Sequence, residues 1–321
     1  LGPLLSRYGS AQVSLPGGCA IGLRPVDLHI EMLKKMGAKI EIQRGYIIAE
    51  SKKKLNATIL KFPSISVGAT ENLIMTAVLC PGKTVIKNIA IEPEILDLIS
   101  FLSKAGANIF RKSKRELIIT GVNKLKKISF SVIPDRIEAG TYAVASIITD
   151  GKITLNNINK EMMKNIFDVL KKIGAKLEFK SKTSVVVSRG ALRPIKIRTK
   201  PYPGFPTDMQ AQLMSLMSLT KNTSLIKEDI FENRFLHVSE LKRMGANIKI
   251  KNKLAIIRGV SYLNGAEVMA TDLRASVCLV LAALSAKGKT TVNRIYHLDR
   301  GYENLVKKLR KCGAKISLIN A

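Results

Sequence analysis

Apolar and polar positions repeat along this chain with a period close to 69 residues. Five segments share the pattern Leu-x-x-x-Gly-Ala, followed by Lys or Asn and then by Ile or Leu. Their glycines are Gly37, Gly106, Gly174, Gly245 and Gly313. Basic residues before each glycine suit the last turn of a helix, and glycine readily takes the left-handed conformation just past a helix end. Each copy therefore predicts the end of a helix, followed by a β-strand.

A second pattern lies between these copies and predicts the other elements of the repeat. Short runs rich in β-branched residues, "YIIAE", "ELIITGV", "SVVVSRG" and "LAIIRGV", are typical of strands. Almost wholly apolar stretches, such as "ENLIMTAVLCPGKTVIKNI" and "DLRASVCLVLAALSAKGKTTVNRI", predict a buried helix, a turn and a strand. The unit reads strand, helix, strand, helix and two strands, which indicates an α/β protein built from βαβαββ repeats.

The repeats also predict the domain organisation. Only 36 residues precede Gly37, and the chain opens on "LGPLL", so we expect it to begin inside a repeat. An extended link near "SVIPDRIEAGT" separates two groups of repeats, which predicts a first lobe over residues 1–133 and a second over residues 134–321. Ligands favour the cleft that two lobes form.

The net charge of the chain indicates which kinds of partner it can bind. The chain has 321 residues, and 53 Lys and Arg against 24 Asp and Glu give a net charge of +29. Such a balance indicates anionic partners, such as nucleic acid, a membrane surface or phosphorylated metabolites, unless the evenly spread lysines only solvate the surface. Aromatic residues make up 5% of the chain, tryptophan is absent, and basic and aromatic residues do not alternate. A basic repeat protein that binds nucleic acid is therefore the weaker alternative.

Other features exclude several classes of protein. No apolar run is as long as a membrane span, and the sequence shows no basic-then-apolar pattern of the kind expected for a signal peptide. The four cysteines form no Cys-x-x-Cys pair and the three histidines are far apart, so a zinc site or disulfide framework is not expected, and reduced cytosol fits best. "PGKT" and "KGKT" resemble phosphate loops, but Ala77 and Ala283 stand where the first glycine of a Walker motif is needed.

The stretch "SLPGGCAIGLRPVDLH" carries the first candidate for chemistry, Cys19. Gly17 and Gly18 let the backbone bend and move, as a lid over a site must. Arg24 lies five residues after the cysteine, and a nearby cation lowers the pKa of a thiol and makes it reactive. The alternative is a small buried cysteine beside an ordinary turn.

Asp208, in "FPTDMQAQ", has two interpretations. Thr207 and Gln210 have the spacing of a helix capping box, and an acid in the first turn of a helix gains from the helix dipole. Alternatively, Asp208 is a general base that faces a substrate hydroxyl.

Arginines close to predicted element ends are candidates for binding carboxylate or phosphate, because the guanidinium fork matches both groups. They are Arg24, Arg234, Arg274 and Arg300. Asp272 and Asp299 stand beside two of them, and on sequence alone they are equally well read as ion-pair partners.

These motifs, taken in order, carry a resemblance. "SLPGGCAIGLRPVDLH", "SVGAT", "PDRIEAGT", "FPTDMQAQ", "FENRF", "MATDLRAS" and "HLDRGYE" resemble those of the UDP-N-acetylglucosamine 1-carboxyvinyltransferase family of enolpyruvyl transferases, from Leu1 to about Asn320. The cysteine loop separates this family from its shikimate-pathway relative. The resemblance implies two lobes, each an inside-out α/β barrel of three βαβαββ units. About four and a half units are expected here, without the N-terminal segment that carries the family's Lys-Asn pair.

The resemblance also implies the chemistry. Cys19 would protonate the methylene carbon of phosphoenolpyruvate and form a thioether with it, and Asp208 would take the proton of the sugar 3-hydroxyl. Phosphate would then leave a tetrahedral ketal, in the first committed step of bacterial peptidoglycan synthesis. An epoxide phosphonate such as fosfomycin would alkylate Cys19.

Binding residues follow from the same resemblance. Arg24, Arg300, Arg274 and Arg234 would hold phosphate and carboxylate charge, and Asp272 would belong to the same site. The uridine nucleotide would contact Arg24, Pro25, Val26, Asp27, Leu28, Ser66, Val67, Gly68 and Ile230. Ser64 stands where some relatives carry a basic residue that faces the nucleotide phosphates. The implied protein is a cytoplasmic bacterial monomer with small-molecule substrates, no cofactor, no metal, no nucleic acid and no membrane partner.

Overall fold

The computed structural model describes residues 1–16 and 25–319. These residues form two compact units, one of residues 1–16 and 25–133 and one of residues 134–319. Among them, every helix is too short or too polar to traverse a lipid bilayer.

The first unit contains two sheets and the helices that connect their strands. Its helices are α1 Gly2–Tyr8, α2 Asp27–Lys35, α3 Val67–Ala77 and α4 Pro93–Lys104. Its strands are β1 Ser10–Ser14, β2 Lys39–Gln43, β3 Tyr46–Glu50, β4 Ile59–Lys61, β5 Lys83–Lys87, β6 Asn108–Ser113 and β7 Glu116–Thr120. The sheet orders are β1-β3-β2 and β4-β5-β7-β6. Only β4 and β5 pair in parallel, as a strand–helix–strand connection requires.

The second unit repeats the same plan. Its helices are α5 Arg136–Ile148, α6 Lys164–Lys172, α7 Gln210–Met217, α8 His237–Arg243, α9 Leu273–Ser285 and α10 Leu305–Lys311. Its strands are β8 Lys152–Asn156, β9 Lys176–Phe179, β10 Ser184–Ser188, β11 Lys196–Arg198, β12 Thr223–Lys227, β13 Asn247–Lys251, β14 Leu254–Arg258, β15 Glu267–Met269 and β16 Thr291–Asn293. They form sheets β8-β10-β9, β11-β12-β14-β13 and β15-β16. Two 3₁₀ helices, Thr207–Met209 and Ile295–Arg300, complete the unit.

The predicted βαβαββ order is confirmed by two complete repeats, residues 59–120 and residues 196–258. The five repeat glycines all have a left-handed φ, between 93° and 98°. A strand follows four of them, but the strand expected after Gly313 is wrong for residues 314–319. In the other copies that strand pairs with the next strand of the chain, and no such partner follows among the described residues.

Three apolar helices, α5, α7 and α9, pack against one another in the core of the second unit. All eight residues of α7 are buried, which explains why its sequence shows no polar face. Polar side chains on these helices must therefore find partners inside the protein. The N-terminal ends of the same helices carry Asp135, Asp208 and Asp272, and the candidate site lies there.

Candidate active site

Asp208 lies in the 3₁₀ turn directly before α7 and binds two arginines. Arg234 Nη2 donates to Asp208 Oδ1 at 2.7 Å, and Arg274 Nη2 donates to Asp208 Oδ2 at 3.4 Å. The carboxylate side chain is 42% exposed, whereas the side chains of Arg234 and Arg274 are 4% and 14% exposed. Asp208 is thus the solvent-accessible member of a charged cluster whose two cations are nearly buried.

Each arginine is held by its own element. Arg234 lies in the turn between β12 and α8, with its guanidinium carbon 5.3 Å from the centre of the Phe231 ring. Arg274 is the second residue of α9. Two guanidinium groups face one carboxylate, so the cluster carries one positive charge in excess. Arginines fixed in this way suit an anionic ligand, because the guanidinium fork matches phosphate and carboxylate.

The charges around Asp208 set its protonation. Partial removal from water would by itself raise the pKa of the carboxyl, but Arg274 and Arg234 outweigh this effect and hold that pKa below its ordinary value of 3.8. Asp208 is therefore ionised at neutral pH. While both arginines hold it, it is also a weaker base than an ordinary aspartate.

The capping-box interpretation of this segment is wrong. Thr207 Oγ1 donates to Glu228 Oε2 at 2.9 Å, and the side-chain amide atoms of the buried Gln210 have no hydrogen-bond partner among the described residues. Glu228 takes the threonine hydroxyl that a capping box needs, and the 3₁₀ turn, which begins at Thr207, moves the start of α7 to Gln210. Asp208 therefore has no helix to cap and keeps its carboxylate for the arginines.

Glu228 joins the Asp208 segment to Ile230, another predicted site residue. Its buried carboxylate accepts from Thr207 Oγ1, and it also accepts from the backbone N–H of Ile230 at 2.8 Å and from Thr199 Oγ1 at 2.9 Å. Ile230 itself is 39% exposed. These donors satisfy the hydrogen-bonding capacity of the buried Glu228 side chain, which thereby fixes two loops side by side.

Three residues outside the predicted set complete the cluster. Tyr302 OH accepts from Arg274 Nη1 at 3.0 Å and from Gln212 Nε2 at 3.3 Å, and it lies 3.0 Å from Thr141 Oγ1. Thr141 and Gln212 belong to the apolar helices α5 and α7. A polar residue inside a helix that is otherwise buried is the signal by which sequence reasoning could have found them.

Asp272 and Arg300 take different places. Asp272 Oδ1 accepts from the backbone N–H groups of Arg274 at 2.9 Å and Ala275 at 3.1 Å, so this buried carboxylate caps α9. The ion pair with the Arg274 side chain that the sequence offered is not formed, because that side chain turns to Asp208. Arg300 ends the second 3₁₀ helix, is exposed, and forms no ion pair within residues 25–319.

Seven of the residues predicted to bind the nucleotide lie in the first unit at the starts of α2 and α3, whereas Ile230 belongs to the second unit. Val26 is the N-cap of α2, and Ser66 is the N-cap of α3. A methyl group added at Gly68 would lie 3.6 Å from Cε1 of His29, so the two helix starts are neighbours. Helix N-termini favour anions.

The other residues of that predicted set lie beside these helix starts. Pro25, Val26 and Asp27 line a groove of about 630 Å³. Asp27 and Leu28 form the first turn of α2, and Val67, at the start of α3, is exposed. The exposed Ser64 precedes α3 by three residues. Cys19 and Arg24 lie outside the described residues.

Comparisons with known proteins identify the family of this chain. A family model described as EPSP synthase (3-phosphoshikimate 1-carboxyvinyltransferase) matches residues 1–309. The UDP-N-acetylglucosamine 1-carboxyvinyltransferase of Pelagibacter ubique is 54% identical over 320 residues, which cover 100% of this chain and 77% of the relative. The enzyme of the same name from Paramagnetospirillum magneticum is 55% identical, with 98% of this chain and 73% of the relative covered. The chain belongs to the UDP-N-acetylglucosamine 1-carboxyvinyltransferase family.

Solved structures show the fold of this family. The enolpyruvyl transferase NikO from Streptomyces tendae aligns with a TM-score of 0.86 at 24% identity, over 98% of this chain and 75% of that one. EPSP synthase from Acinetobacter baumannii aligns with a TM-score of 0.73 at 17% identity, over 99% and 78%. The predicted enolpyruvyl transferase fold is confirmed, and so are the predicted family and enzyme class, a carboxyvinyltransferase.

Proposed function

We propose that this chain transfers the enolpyruvyl group of phosphoenolpyruvate to the 3-hydroxyl of UDP-N-acetylglucosamine and releases phosphate. The names of relatives at 50–55% identity over nearly the whole chain support this reaction. The observation that carries it is the accessible carboxylate of Asp208 between two nearly buried arginines. The reaction needs a base beside fixed positive charge, and this cluster supplies both.

The excess positive charge of the cluster suits phosphoenolpyruvate, which carries a phosphate and a carboxylate. As these anions engage Arg274 and Arg234, the guanidinium groups loosen their hold on Asp208. The pKa of Asp208 then rises toward its ordinary value, and a freed oxygen accepts the proton of the sugar hydroxyl. Substrate binding therefore activates the base by weakening its ion pairs with the two arginines.

Cys19 supplies the acid in this proposal. Its thiol proton goes to the methylene carbon of phosphoenolpyruvate, and the sugar oxygen bonds to the neighbouring carbon as Asp208 takes the hydroxyl proton. The C–O bond that joins phosphate to the resulting ketal then breaks, and the Cys19 thiolate takes a proton back from the new methyl group, which restores both the double bond and the thiol. Arg24 and Arg300 hold the phosphate while its charge shifts.

Residues of the first unit hold the nucleotide in this proposal. Pro25, Val26, Asp27 and Leu28 lie at the start of α2, and Ser66, Val67 and Gly68 lie at the start of α3, so N–H groups of both helices are available to the uridine nucleotide. Ile230 contacts the same substrate. We place the reaction in the bacterial cytoplasm, with the chain acting as a monomer without cofactor, metal, nucleic acid or membrane partner.

Phosphate release from phosphoenolpyruvate tests the reaction. Purified chain is assayed with UDP-N-acetylglucosamine and, separately, with shikimate 3-phosphate, because the matching family model names a phosphoshikimate enzyme. We expect phosphate release with the sugar nucleotide only. Mass spectrometry should then detect the enolpyruvyl product of that sugar nucleotide. Release with shikimate 3-phosphate alone, or with neither acceptor, would contradict the proposal.

A further inference from the structure

Tyr302 is buried within contact of the charged cluster, although its side chain bears no charge. The residue is 1% exposed and packs among Val277, Leu298 and Leu305, while its hydroxyl accepts a hydrogen bond from the Arg274 guanidinium. The guanidinium carbon lies 5.6 Å from the centre of the same ring. Arg274 is thus held by the tyrosine on one side and by Asp208 on the other.

The neighbouring hydrogen bonds fix the direction in which the Tyr302 hydroxyl points. Thr141 Oγ1 donates its single hydrogen to the backbone carbonyl of Ile137 at 2.8 Å. Between Thr141 and Tyr302, the tyrosine must therefore be the donor. The lone pairs of the Tyr302 oxygen are left for Arg274 Nη1 and Gln212 Nε2, both of which can only donate.

The two terminal nitrogens of Arg274 bind different acceptors at different distances. Nη1 lies 3.0 Å from Tyr302 OH, whereas Nη2 lies 3.4 Å from Asp208 Oδ2. The tyrosine thus competes with the carboxylate for the same guanidinium. Without the phenolic oxygen, Asp208 is the acceptor that remains for the Arg274 side chain among the described residues, and we expect the ion pair to tighten.

We propose that Tyr302 is a positioning residue, whose hydroxyl oxygen holds Arg274 ready for the substrate anion and limits the hold of that arginine on Asp208. Thr141 orients the hydroxyl and acts through Tyr302. This inference rests on the proposed function, since it assigns the arginine to an anionic substrate and the carboxylate to the sugar hydroxyl. It gives a residue of the hydrophobic core a positioning role in the reaction.

The charged and titratable groups around Asp208 come from every element packed against it. Arg234 lies on the turn before α8, Arg274 on α9 and Tyr302 after the second 3₁₀ helix. His237 on α8 interacts electrostatically with Arg234 and with Asp272. Burial raises the pKa of the Tyr302 hydroxyl, and Arg274 only partly offsets this, so the phenol stays neutral through the range of an assay. It therefore acts as a dipole, not as an acid.

Tyr302→Phe tests the proposal, because it keeps the ring in the core and removes only the oxygen. We expect the KM for phosphoenolpyruvate to rise by about tenfold, the effect of losing one hydrogen bond to a charged group. The carboxyl pKa of Asp208, followed by ¹³C NMR of aspartate-labelled protein and assigned with Asp208→Asn, should fall further. The acidic limb of the kcat profile should move to lower pH with it.

Two variants of Thr141 separate positioning from packing. Thr141→Val removes the acceptor of the tyrosine hydroxyl with little change in side-chain volume. We expect a smaller rise in the KM for phosphoenolpyruvate and a smaller fall in the pKa of Asp208 than in Tyr302→Phe. Thr141→Ser keeps the oxygen and should restore wild-type KM and the wild-type titration. A tyrosine that only packs would lower the melting temperature in Tyr302→Phe and leave the KM, the pH profile and the Asp208 titration unchanged, which would overturn the proposal.

The NMR titration distinguishes failure of this inference from failure of the proposed function. A wild-type chain that releases no phosphate contradicts the function, and the Asp208 titration in Tyr302→Phe still reports on the hold of Arg274. An unchanged titration in an active enzyme contradicts the inference alone. If the chain is inactive and the titration is unchanged, both fail.

Discussion

Asp208 and Asp272 occupy the same position in a repeated Thr-Asp-x-x-Ala pattern, but only Asp272 caps its helix. Asp272 Oδ1 accepts two backbone N–H groups at the start of α9. Both carboxylate oxygens of Asp208 accept guanidinium N–H groups instead. A 3₁₀ turn before α7 removes Asp208 from the start of its helix. The Asp272 copy of the pattern therefore stabilises the fold, while the Asp208 copy holds reactive charge.

Replacing Asp208 should reduce turnover far more than it reduces stability. Asp208→Asn cannot accept the proton of the sugar hydroxyl, so we expect kcat to fall by about a hundredfold or more, the usual contribution of a general base. The matched control is Asp135→Asn at the N-cap of α5, because asparagine caps a helix as well as aspartate does. Phosphate release and thermal melting of both variants check this. Equal turnover in the two variants would remove Asp208 from the mechanism.

Much of the fold could be predicted because local rules and tertiary structure agree. Gly106 and Gly245 end their helices in the left-handed conformation that the pattern predicts, and residues 46–50 form the strand that their β-branched residues indicate. The predicted strand after Gly313 fails because a strand also needs a partner, and no local pattern shows whether one follows.

The site could be predicted only in part. Asp208, Arg234 and Arg274 were candidates by residue type, but their convergence depends on three loops that are distant in sequence. The capping box at Thr207 failed because a buried carboxylate 21 residues later competes for the threonine hydroxyl. Tyr302 was missed because a tyrosine among apolar residues resembles any core residue until its hydroxyl partner is known.

Alkylation should discriminate among the four cysteines. Fosfomycin should add to Cys19 and spare the others, since burial raises the pKa of Cys80 to about 11 and that of Cys278 to about 12. Cys312 is exposed and serves as the internal control for accessibility without a site. Peptide mass spectrometry of treated protein, with Cys19→Ser alongside, measures the selectivity. Modification of Cys312 in preference to Cys19 would show reactivity governed by exposure alone and contradict the assigned acid.

Alanine at two repeat glycines should have unequal effects on stability. Gly313 has φ of 93° and open space around it, so Gly313→Ala should cost only the strain of the left-handed backbone, about 1 kcal/mol. Gly174 has φ of 97°, and a Cβ there would lie 2.0 Å from the carbonyl oxygen of Ala191. Gly174→Ala should therefore cost clearly more than Gly313→Ala, as measured by urea unfolding. Equal losses of stability would mean that the loop containing Ala191 moves away from the added Cβ without a measurable loss of stability.

His237 should make the protein less stable as pH falls below 6.5. It is fully buried on α8, and its Nε2 has no hydrogen-bond partner among the described residues. Burial lowers the pKa of His237 to about 4 from an ordinary 6.5, Asp272 opposing this shift and Arg234 adding to it. The unfolded chain therefore binds the proton first. The stabilisation is complete above pH 6.5 and is lost progressively as pH falls toward 4.

Urea unfolding of wild type and His237→Gln at pH 7.5 and pH 5.0 measures this contribution. Wild type should lose about 2 kcal/mol more than the variant between these two values, since one pKa unit corresponds to about 1.4 kcal/mol. His297→Gln, which removes a histidine outside this cluster, should lose as much as wild type. If His237→Gln and wild type lose the same free energy of unfolding, His237 has a partner for its proton in the folded chain. Burial of an unpaired imidazole would then not explain the acid sensitivity.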